Sequence, residues 1–250
     1  MTEIRKMQLE IVKMISEVDS LFKSNSIKYT LLGGSVLGAV RHKGFIPWDD
    51  DMDIGVFRSD FEKVENLLSN FNPFVYEPAE KHIVSDAPIG HLHIVNDKYK
   101  IENSPTIDVF ALDNVPSDEY SRKKLRFQAN IHHLAVLRRA PEHRGRVKRL
   151  AVQILLKIVS QNKWDKIQKK SFEKIMKLCS KKTGYVGNIW GFWTEKEYFP
   201  EIIYENLAEH DFENLRLPIP ADFDTYLSQM YGNYMELPPL ERRVPKHRSF

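Results

Sequence analysis

The chain has 250 residues, enough to bury a sizeable core, and 42% hydrophobic with 28% charged residues exclude a disordered or fibrous protein. A net charge of +3 does not mark the whole molecule as a polyanion binder. The single cysteine, Cys179, excludes an internal disulfide and a cysteine-based zinc site, and suits a reducing cytoplasm.

In chain order, Ile4, Met7, Ile11, Met14, Ile15, Val18, Leu21 and Phe22 recur at helical spacing, predicting an amphipathic helix over residues 2–25 with its apolar stripe in the core. Charges interrupt every apolar stretch of this segment, so it is not expected to act as a signal peptide, and no later run approaches a bilayer-spanning length. Tyr29–Leu32 is the first expected strand, Val36–His42 a short helix and Met52–Phe57 the second strand. Ser59-Asp60-Phe61-Glu62 reads as a capping box that opens a helix to about Ser69. Short β segments are expected at 89–95 and 98–102, then a strand over Thr106–Leu112. Residues 118–182 read as two or three helices. From Gly184 the chain is aromatic and proline-rich, with one helix expected at Asp222–Tyr231. These elements give an α+β fold: a mixed sheet flanked by helices, a helical subdomain and an irregular C-terminal segment. The expected division is 1–117, 118–183 and 184–250, joined in one compact unit.

The segment Leu31 to Val56, LLGGSVLGAVRHKGFIPWDDDMDIGV, carries the chemistry. Gly33-Gly34-Ser35 at a helix N-terminus can offer backbone N–H groups to an anion. Asp49, Asp50, Asp51 and Asp53 then lead into an apolar strand. Carboxylates two apart on a strand share a face, so Asp51 and Asp53 can grip one hard cation. A solvated acidic turn is the plainer alternative. Four crowded carboxylates repel one another unless a cation neutralises them, and the Gly-Gly-Ser turn upstream points to a phosphate-ester site. Asp108, alone in the apolar run Thr106–Leu112, is costly there unless paired or metal-bound; the alternative is a solvent-facing position on an edge strand.

Gly-Gly-Ser, Asp-x-Asp and a later single Asp form the layout of the nucleotidyltransferase superfamily. More specifically, RHKGFIPWDDDMD over Arg41–Asp53, IDVF over 107–110 and YLSQMYGNYMELPP near the C-terminus resemble the LicD family of phosphotransferases, which includes phosphocholine transferases and has fukutin-type ribitol-phosphate transferases as relatives. The resemblance implies that Asp51, Asp53 and Asp108 are catalytic and, with Asp49, hold one or two Mg²⁺ or Mn²⁺ ions. Asp50 is the expected dispensable acid of the run. Gly33, Gly34, Ser35, Arg41, His42, Lys43, Trp48, Arg243 and His247 are the implied substrate-binding residues. The implied reaction moves a phospho-alcohol from a CDP-linked donor to a hydroxyl of a glycan or its lipid-linked precursor, with Asp108 or another acid taking the hydroxyl proton. An NTP-dependent nucleotidyltransferase, or a non-catalytic protein whose acidic loop binds a cation, remain the rivals.

From Ser121 to Lys157 the chain carries eleven Arg or Lys against one acid, Glu142. No nucleic-acid-binding motif accompanies that charge, so nucleic acid is not an expected partner. Arg146–Ser160 mixes basic and apolar residues: either it packs on the core beneath a solvated basic face, or residues 121–160 touch an anionic membrane at its cytoplasmic face. His91 and His93 alternate on a strand and so share a face; two His at that spacing could ligate a metal, but without Cys or acids at ligand spacing they are expected to line a pocket or face solvent. A choline headgroup would call for an aromatic cage, for which Trp48, Trp190 and Trp193 are candidates.

Overall fold

The computed structural model describes residues 1–79, 89–138, 146–191 and 194–245. The first helix, α1, spans Glu3–Ser24 and opens at Thr2, whose hydroxyl accepts the Arg5 N–H. Its expected stripe is the core: Ile11, Met14, Ile15, Val18 and Phe22 are fully buried. At roughly 1.5–3 kcal/mol per buried side chain, that stripe outweighs any contribution from helix propensity.

β1 (Tyr29–Leu31) leads into α2 (Gly33–His42), then β2 (Met52–Phe57) and α3 (Arg58–Ser69). α2 starts three residues before the expected Val36, because its first turn is set by Gly33 and by contacts to β2 rather than by apolar periodicity. α3 starts at Arg58 with Phe57 as its cap and no side-chain capping bond, so the Ser59–Glu62 box does not form. β3 (Val75–Glu77), β4 (Gly90–His93) and β5 (Thr106–Asn114) complete the main sheet in the order β1-β2-β5-β4-β3. The strand expected at 98–102 is instead a turn ending in a 3₁₀ segment at Ile101–Asn103; the Asn96 side chain accepts the Lys98 and Tyr99 N–H groups and closes it.

β2 and β5 are parallel; the other strand pairs are antiparallel. The period of two sorts the sheet into two faces. Met52, Ile54, Val56, Leu92, Ile107, Val109 and Ala111 form an apolar face in the core shared with α1 and α3. Asp53, Asp108, His91 and Glu77 are register partners across β2, β5, β4 and β3, and form a polar row on the opposite face. β5 is therefore central, and the edge-strand alternative for Asp108 is excluded.

α4 (Glu119–Leu137), α5 (Arg146–Ile158) and α6 (Gln161–Cys179) fill the helical region. α4 packs along α6 above a second apolar cluster that includes Leu125, Ile175, Cys179, Ile189 and Tyr198. On α5, Leu150, Ile154, Leu155 and Ile158 are exposed, so this stripe is not packed into the core. The C-terminal part holds more strand than its composition suggested. β6 (Tyr185–Gly187) extends the sheet from the end of β5 and pairs with β7 (Tyr198–Pro200). After the short α7 (Ile202–Glu205), β8 (Leu207–Phe212) and β9 (Leu215–Pro220) form a hairpin, and α8 (Phe223–Tyr231) follows. No described helix is long and apolar enough to cross a membrane.

Candidate active site

Asp53 and Asp108 are direct partners in the parallel β2–β5 ladder, and Asp51 precedes Asp53 by two residues on the same face. Asp51, Asp53 and Asp108 each place a carboxylate oxygen so that the three lie within 4.8 Å of one another; Asp49, Asp50 and Asp51 do the same. Burial, followed by the charges of Asp51, Asp108 and Asp49, holds the Asp53 carboxyl well above the ordinary carboxylate range. The donor set is entirely carboxylate oxygen, which matches a hard divalent cation such as Mg²⁺ or Mn²⁺ and disfavours a soft metal. Asp50, expected to be the dispensable member, is fully buried.

The glycines of α2 let these carboxylates approach a helix N-terminus. Gly33 has φ +48°, and a Cβ there would lie 3.3 Å from Asp53 Oδ2; at Gly34 it would lie 2.9 Å from Asp49 Oδ2. The positive end of the α2 dipole offsets part of the crowded negative charge. The Gly33 N–H donates to the Tyr226 hydroxyl at 2.8 Å, and the Ser35 hydroxyl accepts the Asp53 N–H at 3.0 Å. In this structure those groups tie α2 to α8 and β2.

The basic run divides. Arg41 donates to the carbonyls of Tyr234 and Glu236 and, through Nε, to His42 Nε2. Burial, then the charge of Arg41, lowers the His42 pKa, in keeping with a neutral ring that accepts that bond. Lys43 is exposed and lines a cleft of about 780 Å³ beside α1 whose walls include none of the site carboxylates. Trp48 lies edge-on to His42, with the Arg243 guanidinium 5.7 Å from its ring centroid, and Arg243 Nε donates to the Pro238 carbonyl. His247 and Trp193 lie outside the described residues. Trp190 stacks on Phe172 of α6, lies tilted against His132 of α4, and packs against the second cluster.

Four side chains near the acids were not among the expected site residues. Tyr226 and Tyr231 arrive on α8, and burial, ahead of the other causes, pushes both phenols up, with Asp53 adding to each. Glu197, buried beside β7, adds its negative charge to the same surroundings. The fourth is His91, expected either to line a pocket or to face solvent: it is buried, with Nδ1 2.7 Å from Asp108 Oδ1. Tyr226 and Tyr231 lie in the YLSQMYGNYMELPP segment that carries part of the family resemblance, but nothing local says that they face the acids; a lone Glu carries no local signal, and only register shows what His-x-His in a strand faces.

Residues 26–143 match the LicD/FKTN/FKRP nucleotidyltransferase domain family. The lipopolysaccharide cholinephosphotransferase LicD of Haemophilus influenzae is 27% identical, with 98% of this chain and 96% of that protein aligned. The human ribitol 5-phosphate transferase FKRP is 42% identical over 87 residues, which is 31% of this chain and 18% of FKRP. A Rickettsia prowazekii protein of uncharacterised role is 38% identical over 71 residues, 28% of this chain and 27% of its own length.

Proposed function

The chain belongs to the LicD family, and from that premise we propose that it is a phosphotransferase that moves a phospho-alcohol, phosphocholine or an alditol phosphate, from a CDP-linked donor to a glycan hydroxyl. The observation that carries this reading is the Asp51–Asp53–Asp108 cluster in the sheet of a chain aligned almost end to end with a cholinephosphotransferase.

Asp51, Asp53 and Asp108, with Asp49 beside them, would hold Mg²⁺ or Mn²⁺. Bound there, the ion supplies charge neutralisation for the diphosphate and for the transferring phosphoryl group. Arg41 and Arg243, close enough to influence one another's charge, would complement the remaining phosphate charge. A hydroxyl of the acceptor, a cell-surface glycan or its lipid-linked precursor, attacks the distal phosphorus. The bond to the bridging oxygen breaks, CMP leaves, and the hydroxyl proton passes to a site carboxylate. For a choline headgroup, Trp48 is a candidate aromatic ring, its neighbourhood shared with Arg243.

The reading includes peripheral contact with an anionic membrane through residues 121–160, at the cytoplasmic face where a lipid-linked acceptor would lie. Support comes from α5: Leu150, Ile154, Leu155 and Ile158 are 58%, 50%, 43% and 75% exposed, on a helix with four Lys or Arg and no acid.

Calorimetric titration with CDP-choline, CDP-ribitol, CDP-glycerol, CMP and CTP, each with and without Mg²⁺, tests the donor class. Metal-dependent binding of one CDP-alcohol above CTP is the expected result; a preference for CTP would make the protein a nucleotidyltransferase. Asp51→Ala or Asp53→Ala should cut transfer by at least roughly 10²–10³-fold with the fold intact. Near-wild-type turnover in either would defeat the metal assignment.

A further inference from the structure

The polar face of the sheet extends beyond the three acids. His91 is 5% exposed and His93 1%, and their rings stack at 5.8 Å. His93 Nδ1 lies 2.9 Å from Ser104 Oγ and 3.2 Å from Thr106 Oγ1, and its Nε2 is 3.8 Å from Glu77 Oε2. The ladder puts Glu77 opposite His91, and His91 opposite Asp108. His91 Nδ1 is 2.7 Å from Asp108 Oδ1, and a carboxylate can only accept, so the ring carries a proton on Nδ1. Its other nitrogen, Nε2, is buried with no hydrogen-bond partner among the described residues. Packing between the strands and stacking on His93 leave the ring little freedom to turn.

We propose that His91 is a positioning residue for the metal site: by holding Asp108 Oδ1, it fixes that carboxylate so that its other oxygen is presented to the ion shared with Asp51 and Asp53. The proposal rests on the reading of Asp108 as a metal ligand. A carboxylate on a strand can rotate about two side-chain torsions, and rotation of Asp108 would lose the close convergence of oxygens within 4.8 Å. Groups that hydrogen-bond a metal ligand commonly set 10–100-fold in metal affinity. His93, anchored by Ser104 and Thr106, buttresses the ring without touching Asp108.

The test is Mn²⁺ binding to the full chain, followed by electron paramagnetic resonance of the free ion, for the wild type and for His91→Ala, His91→Asn and His91→Gln. Asparagine places an N–H near the position of Nδ1, whereas glutamine places one near Nε2. His91→Ala should weaken Mn²⁺ by about 10–100-fold, His91→Asn should recover most of the affinity, and His91→Gln should not. His93→Asn, which removes the stacked ring but leaves the His91–Asp108 bond in place, should weaken Mn²⁺ much less than His91→Ala. Wild-type affinity in a folded His91→Ala protein would overturn the proposal. So would a folded His91→Asn protein as weak as His91→Ala, or an equal loss in His93→Asn. Absence of Mn²⁺ binding by the wild type would remove the metal reading itself, and the proposal with it.

Discussion

Gly33 and Gly34 stand side by side but answer to different demands. Gly33 needs its positive φ, a region where a Cβ costs about 1 kcal/mol or more, and it also lies against Asp53. Gly34 has no such backbone demand; what its missing Cβ provides is room for the Asp49 carboxylate, 2.9 Å from where that carbon would sit. Gly33→Ala is therefore expected to lower both stability, by about 1–2 kcal/mol, and turnover. Gly34→Ala should lower metal-dependent turnover with a smaller change in stability. Urea unfolding midpoints beside initial rates separate the two; equal stability losses would refute the distinction. The presence of a functional glycine pair was legible in the sequence. The division of labour was not, because φ and the approach of Asp49 are properties of the folded chain.

At the scale of elements, the loop after α2 is held by a distant hairpin. The Glu213 carboxylate, at the β8–β9 turn, fills the space beside Gly44 where a Cβ would lie 2.5 Å away, accepts the Phe45 N–H, and takes two bonds from Arg5 on α1 at 2.7 and 2.6 Å. The Arg5 hydrogen bond in particular holds the Glu213 pKa below its ordinary 4.5. A depressed carboxylate pKa means the contribution is present above the unfolded value and is lost as pH falls through the folded one. Arg5 is 39% exposed, so solvent screening limits the pair to about 1 kcal/mol. Glu213→Gln should thus be less stable than the wild type near pH 7, and the gap should narrow progressively as pH falls below the ordinary carboxylate value of 4.5. Thermal melts from neutral to acid pH measure it, and a gap that stays undiminished in acid would contradict the ion-pair account. Gly44 belongs to the Arg41–Asp53 signature, yet its partner lies 169 residues away in sequence, beyond any local pattern.

For the molecule as a whole, charge is segregated: the 121–157 segment is strongly basic while the remainder is net acidic. With the exposed α5 stripe, this predicts co-sedimentation with phosphatidylglycerol vesicles at low salt and weaker binding to neutral phosphatidylcholine vesicles. Changing Leu150, Ile154, Leu155 and Ile158 to Asp should leave the protein in the supernatant. Retention by neutral and anionic vesicles alike, or no effect of the four changes, would count against an electrostatic and apolar membrane contact.

The sequence alone determined the elements with strong periodicity, α1 and the β2 and β5 strands, because burial of one face leaves a repeat of 3.6 or 2 in the residues themselves. It also carried the family resemblance and marked Asp51, Asp53 and Asp108 as the expected acids, since carboxylates beside apolar strands are costly unless paired or metal-bound. It misread residues 98–102, where the Asn96 side chain bonds the backbone and closes a turn, and the Ser59 cap, where the helix begins one residue earlier with Phe57 as its cap. Only the tertiary structure decided that Asp108 sits in a central strand, that His91 grips it, that Tyr226 and Tyr231 reach the head of α2, and that Lys43 turns to another cleft. The physical reason is that these depend on strand register and on contacts between segments far apart in the chain, which no residue's own neighbours encode.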